Sequence, residues 1–228
     1  MERMYSDTKT WNPFKGCGFN CTYCVPSFQR QAKRQKQNCE DCYDYRPHYH
    51  EGRLSRIPSA NIVFVCGNGD ISFCKPDFTR RIIYHIKAHN ERAPQKQYYF
   101  QSKRPEYLKQ FLSEFPSNVI LVSTLETNRD ARYGKVSKAP RPSERYQQFK
   151  ALDWPQKAVT VEPIMDFDLA EFHQMLVSLN PPHIWIAFNS RPKEIQLPEP
   201  HRNKVLQLMD FLERAGIAIK KKDLRGEP

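Results

Sequence analysis

No run of the 228-residue chain stays apolar for the ~20 residues that a membrane-spanning helix needs, so the chain reads as having no membrane span. No charged, then apolar, then small-residue leader stands at the front, because Met1–Thr10 is polar throughout; the expectation is a soluble, cytoplasmic protein. Internal repeats and low-complexity tracts are absent. So are helix-turn-helix and RNP-type base-reading motifs, and no carboxylate cluster of the kind a metal-dependent nuclease uses is visible. Acidic residues are in deficit, 25 Asp+Glu against 36 Lys+Arg, and the resulting charge of +11 favours a polyanionic partner without naming it. Hydrophobic residues make up 39%, enough for one real core, which argues against general disorder. The seven cysteines lack an even count; in a reducing compartment that speaks against a disulfide framework and for metal binding or catalysis.

What is present is an alternation. Short β-rich apolar runs stand at Ile62–Val65, Gln97–Phe100, Val119–Val122, Ala158–Val161, Ile184–Phe188 and Ile217–Ile219, most without clean period-two patterning, as strands buried on both faces read. Between them five stretches have helical spacing. Asp77 is placed to cap the first, Pro105 to open the second, Ser143 to cap the third, and Asp168-x-x-Glu171 to form a capping box on the fourth. The fifth runs from Asn203 to Ala215, with Gly216 where a C′ glycine belongs. The pattern predicts an α/β domain with a parallel sheet, with too few units for an eight-stranded barrel: a partial (βα) barrel or an open sheet. Ligands then gather at the C-terminal strand ends. A single domain over 1–228 is expected, with a basic Cys/His/Tyr-rich insertion at about 25–60 and a long basic connection over 127–142.

The sharpest motif is Cys17-Gly-Phe-Asn-Cys21-Thr-Tyr-Cys24. Three thiols this close do not read as three separate core positions, whereas a loop can wrap three thiolates round one soft metal centre and leave a coordination position open. After the strand at 62–65 comes Cys66-Gly67-Asn68-Gly69-Asp70, whose glycines permit close backbone approach to a ligand and whose Asp70 is an anionic acceptor; a plain strand-to-loop turn is the bland alternative. Glu126 and Glu162 end two predicted strands, where carboxylates bind ribose hydroxyls, act on protons, or sit in structural ion pairs. Ser102, Lys103, Thr124 and Asn189 are further polar strand-end candidates. Cys66 and Cys74 read as buried small residues, with Cys66 a weak candidate for hydrogen-atom donation. Cys39-Glu-Asp-Cys42, with His48 and His50 downstream, is an accessory metal or redox pair; joined to Cys21 and Cys24 it instead has zinc-ribbon spacing.

The spacing Cys-x3-Cys-x2-Cys, with Tyr23 before the last cysteine, resembles the signature of the radical S-adenosylmethionine (radical SAM) enzymes. The resemblance implies that Cys17, Cys21 and Cys24 hold a [4Fe–4S] cluster whose fourth iron binds SAM. It implies an external electron donor, reductive cleavage of SAM to a 5′-deoxyadenosyl radical, and a partial barrel of about six to seven parallel strands. Gly67, Asn68, Gly69 and Asp70 then occupy the place of the segment that contacts the SAM amino group. Over nearly the whole chain, Thr10-Trp11-Asn12-Pro13, Gly16-Cys17, Phe64–Phe73, Ser102–Pro105, Thr124–Asn128, Val161–Ile164 and the basic Lys220–Gly226 end fall in the order of a phage-associated Gp37/Gp68-like family of unknown function. Members of that family have a Gly-Gly-Glu-Ser-like run where Phe188–Arg191 stands here, and the resemblance supplies no substrate.

Positive charge concentrates at Arg30, Lys33, Arg34, Lys36, Arg46, Arg53 and Arg56, interleaved with Tyr43, Tyr45 and Tyr49, and again at Arg129, Arg132, Lys135, Lys138 and Arg141. Cations neutralise phosphates and aromatic faces stack unpaired bases, so a nucleotide, nucleic acid or other phosphorylated substrate is the expected partner beside SAM. The competing reading is a zinc-bearing nucleic-acid-binding protein without catalysis.

Overall fold

The computed structural model describes residues 7–222 and 224. The chain opens with β1 (Thr8–Trp11) and β2 (Phe14–Lys15), passes through short helical turns that include α1 (Arg30–Ala32) and α2 (Glu40–Asp44), and reaches β3 (His48–Tyr49). Strands and helices then alternate: β4 (Ile62–Val65), α3 (Pro76–Asn90), β5 (Gln97–Gln101), β6 (Val119–Thr124), α4 (Pro142–Lys150), β7 (Lys157–Val161), α5 (Leu169–Val177), β8 (His183–Ala187), α6 (Arg202–Arg214) and β9 (Ala218–Lys222).

Seven strands make one parallel sheet in the order β1-β4-β5-β6-β7-β8-β9. Trp11 faces Val65, Val65 faces Phe100, and Gln101 faces Val122. β2 and β3 form a separate antiparallel pair, Phe14 opposite Tyr49 and Lys15 opposite His48.

Alternate residues of the sheet serve two cores, which is why clean alternation was missing. Val63, Val65, Tyr98, Phe100, Leu121, Val159, Val161, Ile184 and Ile186 belong to one core with the helix residues Ile82, Phe149, Phe172 and Leu208. The intervening Phe64, Tyr99, Ile120, Val122, Ala158 and Trp185 form a second cluster. In a flat sheet β4 and β8, four strand spacings apart, would lie roughly 19 Å from each other. The rings of Phe64 and Trp185 are 6.4 Å apart, centroid to centroid. The sheet is therefore curled, with these aromatics filling its concave face. Its ends, β1 and β9, do not pair with each other, so the curl is an open partial barrel.

The expected strands are all present, and β1 completes the seven; its Thr8-Lys9-Thr10 is polar because it is an edge strand. The caps differ. Lys75, not Asp77, precedes α3, and Asp77 lies in the first turn, where its charge suits the helix N-terminus. Pro105 opens a tighter 3₁₀ stretch, Pro105–Phe111, rather than an α-helix. Arg141 precedes α4, and Ser143 hydrogen-bonds Asp130 through its backbone N–H (3.0 Å) and its hydroxyl. Asp168 stands at the N-cap of α5 without capping it, since its carboxylate accepts from Arg129 at 2.9 and 2.6 Å. His201 precedes α6, and Gly216 takes φ +82° just past that helix, as a C′ glycine does. Among the described residues no helix is long and apolar enough to cross a membrane. Of the basic end Lys220–Gly226, residues 223, 225 and 226 lie outside the described residues.

Candidate functional site

The three-cysteine loop follows β2 at the C-terminal mouth of the sheet. Its first residue, Gly16, is held from two sides. Gly16 N donates to the Asn68 carbonyl (3.1 Å) and Asp70 N donates to the Gly16 carbonyl (3.2 Å), making a one-residue parallel bridge with Gly69. A Cβ on Gly69 would lie 2.5 Å from the Gly16 oxygen, so the close approach that Gly69 permits is to the three-cysteine loop itself. On its other side Gly16, at φ +90°, would bring a Cβ within 2.0 Å of the Arg46 carbonyl oxygen. Replacing Gly16 by alanine is therefore expected to cost about 2–4 kcal/mol through strain and overpacking, read as a lowered urea midpoint.

Beyond Gly16 the 127–142 connection clamps the loop. Thr22 N donates to the Val136 carbonyl (2.9 Å), and Lys138 N donates to the Phe19 carbonyl (2.8 Å). Phe19, Cys21, Tyr133, Ala139 and Met165 form a buried apolar nest, against which Cys17, Tyr23 and Cys24 pack. All three cysteines are free thiols. Burial pushes the Cys17 thiol well up, and with Cys21 nearby it pushes Cys24 up to about 12. Phe19 N donates to Cys17 Sγ (3.4 Å), Ser137 Oγ lies 3.1 Å from Cys21 Sγ, and Lys103 Nζ lies 3.6 Å from it.

Beside Cys21 is a buried ionic hub that joins five stretches of the chain. Glu126 is fully buried. Its Oε1 accepts from Tyr23 Oη (2.6 Å), Lys103 Nζ (2.6 Å) and Tyr133 Oη (3.1 Å), and its Oε2 accepts from Arg145 (2.6 Å). Arg145 also donates to the Thr124 carbonyl (2.5 Å). Burial alone would raise the Glu126 carboxyl, but Arg145 and Lys103 outweigh it and hold it at about 2. Arg145 and Tyr133 were missed by sequence reasoning. A signal existed: Pro142, Arg145 and Phe149 share the buried face of α4, so an arginine stands at a core position.

Asp70 is buried and fixed: Oδ1 accepts from Ser72 N (3.0 Å) and Ser102 Oγ (2.7 Å), Oδ2 from Lys103 N (2.8 Å). Asn68 N donates to Asn12 Oδ1 (2.9 Å). Asp70, Ser102, Lys103, Glu126 and Tyr23 are thus one connected set. Thr124 joins Gln101 and Thr160 in a hydroxyl–amide triad at 2.9–3.3 Å. Gly67 presses against Thr10, 2.9 Å from where its Cβ would be. Asn189 organises its own loop, Nδ2 donating to the Ile195 carbonyl (2.8 Å) and Oδ1 accepting from Arg191 N (2.9 Å). Glu162 is half-buried just past β7. Cys66, at φ +56°, and Cys74 are buried in the helix-side core.

Cys39 and Cys42 do not combine with Cys21 and Cys24, which corrects the zinc-ribbon alternative. They close instead on His48 and His50, with one potential ligand atom from each residue and all four atoms within 4.8 Å of one another. Among the described residues this is the one such group. A single ion needs its ligands tightly gathered, whereas a cubane sets its thiolates apart by its own width.

No protein-family model and no curated protein matches the sequence. Solved structures do match. SuiB from Streptococcus suis, bound to its precursor peptide SuiA, superposes with a TM-score of 0.61 at 10% identity, over 97% of this chain and 50% of SuiB. The fold is the radical SAM partial barrel. A radical SAM methyltransferase from Sphaerobacter thermophilus superposes with a TM-score of 0.60 at 12% identity, covering 96% of this chain and 67% of its own. Spore photoproduct lyase in complex with a dinucleoside spore photoproduct gives 0.61 at 10% identity, over 93% of this chain and 76% of the lyase. The chain spans half the length of SuiB. In this radical SAM fold the donor set suits an anionic cluster. The hub holds two cations, the half-buried Lys103 and the buried Arg145, against one carboxylate, and Arg145 Nε has no hydrogen-bond partner among the described residues. That excess positive charge lies beside Cys21, where a three-thiolate iron–sulfur cluster would balance it.

Proposed function

We propose that the chain is a radical SAM enzyme acting on a nucleotide, nucleic acid or other phosphorylated substrate. Cys17, Cys21 and Cys24 would ligate a [4Fe–4S] cluster, leaving one iron for SAM. Once loaded and reduced by an external donor, cluster and SAM supply the 5′-deoxyadenosyl radical. The observation that carries the reading is the three-thiol loop at the barrel mouth, set against an excess of positive charge. The residues around it have definable work. The apolar nest of Phe19, Ala139 and Met165 excludes water from the cysteines. Glu126 is a positioning residue: it fixes the Tyr23 ring and the Lys103 ammonium, which together present a cation and an aromatic face to the cofactor side. Asp70 holds Ser102 and Lys103 to the Gly67–Gly69 turn, so the SAM-side wall formed by Gly67, Asn68, Gly69, Thr124 and Asn189 is set before a ligand arrives. Glu162 and Cys66 complete the candidate list, as a strand-end carboxylate and a buried thiol.

Substrate class rests on charge. Arg129 is tied to Asp166 and Asp168, and Arg46 to Glu40, Asp41 and Asp44. Arg132, Lys135, Lys138 and Arg141 are exposed on the clamp loop and have no acidic partner among the described residues. Cations held over a reaction mouth suit phosphates. The lyase that shares this fold is described with a dinucleoside photoproduct, which accords with a nucleic-acid substrate. The order of the motifs from Thr10 onward resembles that of the phage Gp37/Gp68-like proteins. Anaerobic reconstitution with iron and sulfide should give a brown protein that cleaves SAM under reductant. A single-stranded oligonucleotide should stimulate cleavage several-fold at low salt and lose that effect as salt rises. Protein that takes up no iron would overturn the enzyme reading; cleavage indifferent to the oligonucleotide would overturn the substrate class.

A further inference from the structure

The Cys39, Cys42, His48 and His50 group has no part in the chemistry proposed above, yet it is the tightest gathering of metal-ligating atoms among the described residues. Cys42 Sγ lies 3.2 Å from His48 Nε2 and 3.2 Å from His50 Nε2, Cys39 Sγ lies 3.6 Å from His48 Nε2, and the two Nε2 atoms are 2.9 Å apart. A tetrahedral ion with Zn–S ~2.3 Å and Zn–N ~2.0 Å spaces its ligands by roughly 3.3–3.8 Å. These four separations are at or inside that range and the remaining two are within 4.8 Å, so a small adjustment of the side chains seats an ion.

Hydrogen bonding among the four side chains does not account for the arrangement. His48 Nδ1 is 2.7 Å from the Arg46 carbonyl, which has no proton, so Nδ1 carries the hydrogen and Nε2 has a bare lone pair. Three neighbours, two sulfurs and the His50 nitrogen, converge on that one lone pair. A cation at the centre satisfies all four atoms at once. The surroundings are those of a metal site: the carbonyl fixes the ligating tautomer, Cys42 N donates to Cys39 Sγ (3.4 Å), and Lys15 Nζ lies 3.6 Å from Cys42 Sγ. A cavity of about 230 Å³, lined by Lys15, Gly16, Phe28, Cys42, Tyr45 and His48, gives the ion a way in.

The group also has a mechanical connection. Ligands Cys42 and His48 bracket Tyr45 and Arg46, and these two residues touch the cluster loop. Cys17 N donates to the Tyr45 carbonyl (3.3 Å), the Tyr45 side chain lies beside Cys24, and Gly16 is pressed on the same Arg46 carbonyl that fixes His48. Ligand His48 is itself paired with Lys15 across β2 and β3.

We propose that Cys39, Cys42, His48 and His50 bind one structural Zn²⁺, and that this ion braces the Gly16–Cys24 loop for cluster binding. Binding releases two thiol protons to solvent, and the two thiolates then neutralise the ion without redox change. The bracing half rests on the cluster reading; the zinc half does not. Metal analysis of two variants separates them. Cys17→Ser/Cys21→Ser/Cys24→Ser should keep about one zinc per chain, and Cys39→Ser/Cys42→Ser should keep none. A triple variant without zinc, or a double variant that retains it, would overturn the zinc site. Cobalt loaded into the triple variant should give the intense visible bands of a tetrahedral thiolate site; a weak octahedral spectrum would overturn it as well. After anaerobic reconstitution the double variant should take up several-fold less iron than the wild type, and equal uptake would overturn the brace. Wild-type protein that holds zinc but no iron would sink the cluster reading and the brace while leaving the zinc site standing.

Discussion

Cys21→Ala should abolish cluster binding and lower reductive SAM cleavage by more than ~100-fold, because losing a direct ligand costs more than losing an outer-shell partner. Cys21 is the most buried of the three loop cysteines and the one in contact with the hub, through Lys103 Nζ at 3.6 Å. The substitution removes one small side chain from an apolar nest, so the fold should survive with a loss of about 1 kcal/mol. That separation makes the test sharp: iron content and cleavage collapse while the thermal transition moves by only a few degrees. Cys74→Ala is the matched control. Cys74 is equally buried but sits in the helix-side core, so its loss should shift stability and leave iron content unchanged. A Cys21→Ala protein that cleaves SAM at the wild-type rate would refute the cluster assignment.

Glu126→Gln should destabilise the protein by ~3–5 kcal/mol, the usual cost of removing one partner from a buried ionic group. The glutamine keeps the shape and one carbonyl acceptor, but Arg145 and Lys103 are then left as two cations with no anion. A loss of that size is a large fraction of a domain's stability and is read as a lowered urea midpoint with an unchanged slope. The sign of the pH dependence follows from the same ion pairs. The Glu126 carboxyl is held down to about 2 in the folded protein, below its ~4.3 in an unfolded chain. Its contribution is therefore complete above about pH 4.3 and is lost as pH falls from there toward 2. Wild-type stability should drop across that window, and the glutamine variant should lack this component. A variant that unfolds at the wild-type midpoint would show that the hub contributes nothing net.

The barrel was legible because its strands are short, densely apolar runs at βα spacing, and a strand buried on both faces announces itself by composition. Only β1 was faint: an edge strand with Thr8, Lys9 and Thr10 shares its polarity with the loops around it. The caps were misread where a better partner existed, as for Asp168, whose carboxylate is taken by Arg129. The three cysteines were visible because their spacing is local. The hub was not, because Tyr23, Lys103, Glu126, Tyr133 and Arg145 come from five separate stretches that only the curled sheet brings together. Cys39, Cys42, His48 and His50 fall between these cases. They are close in sequence, but spacing alone could not decide whether the cysteine pair would turn to the histidines or to Cys21 and Cys24; the β2–β3 pairing, which delivers His48 beside Lys15, decides it.

The order of the sheet has a consequence for how the chain is assembled. From β4 to β9 each strand pairs with the strand that precedes it in the sheet, across a single crossover, so this part can grow by successive short closures. β1 pairs only with β4, and residues 12–61 lie between them. Closing a longer loop costs little extra at equilibrium, about 0.6 kcal/mol per doubling of length, but distant pairings slow folding more than they weaken it. The β1–β4 pairing is thus the slowest of these to close, and the Gly16–Gly69 bridge spans the same connection. The three-cysteine loop therefore takes its final geometry only once that long connection has closed, so a metallocentre built on it depends on the most distant pairing in the sheet.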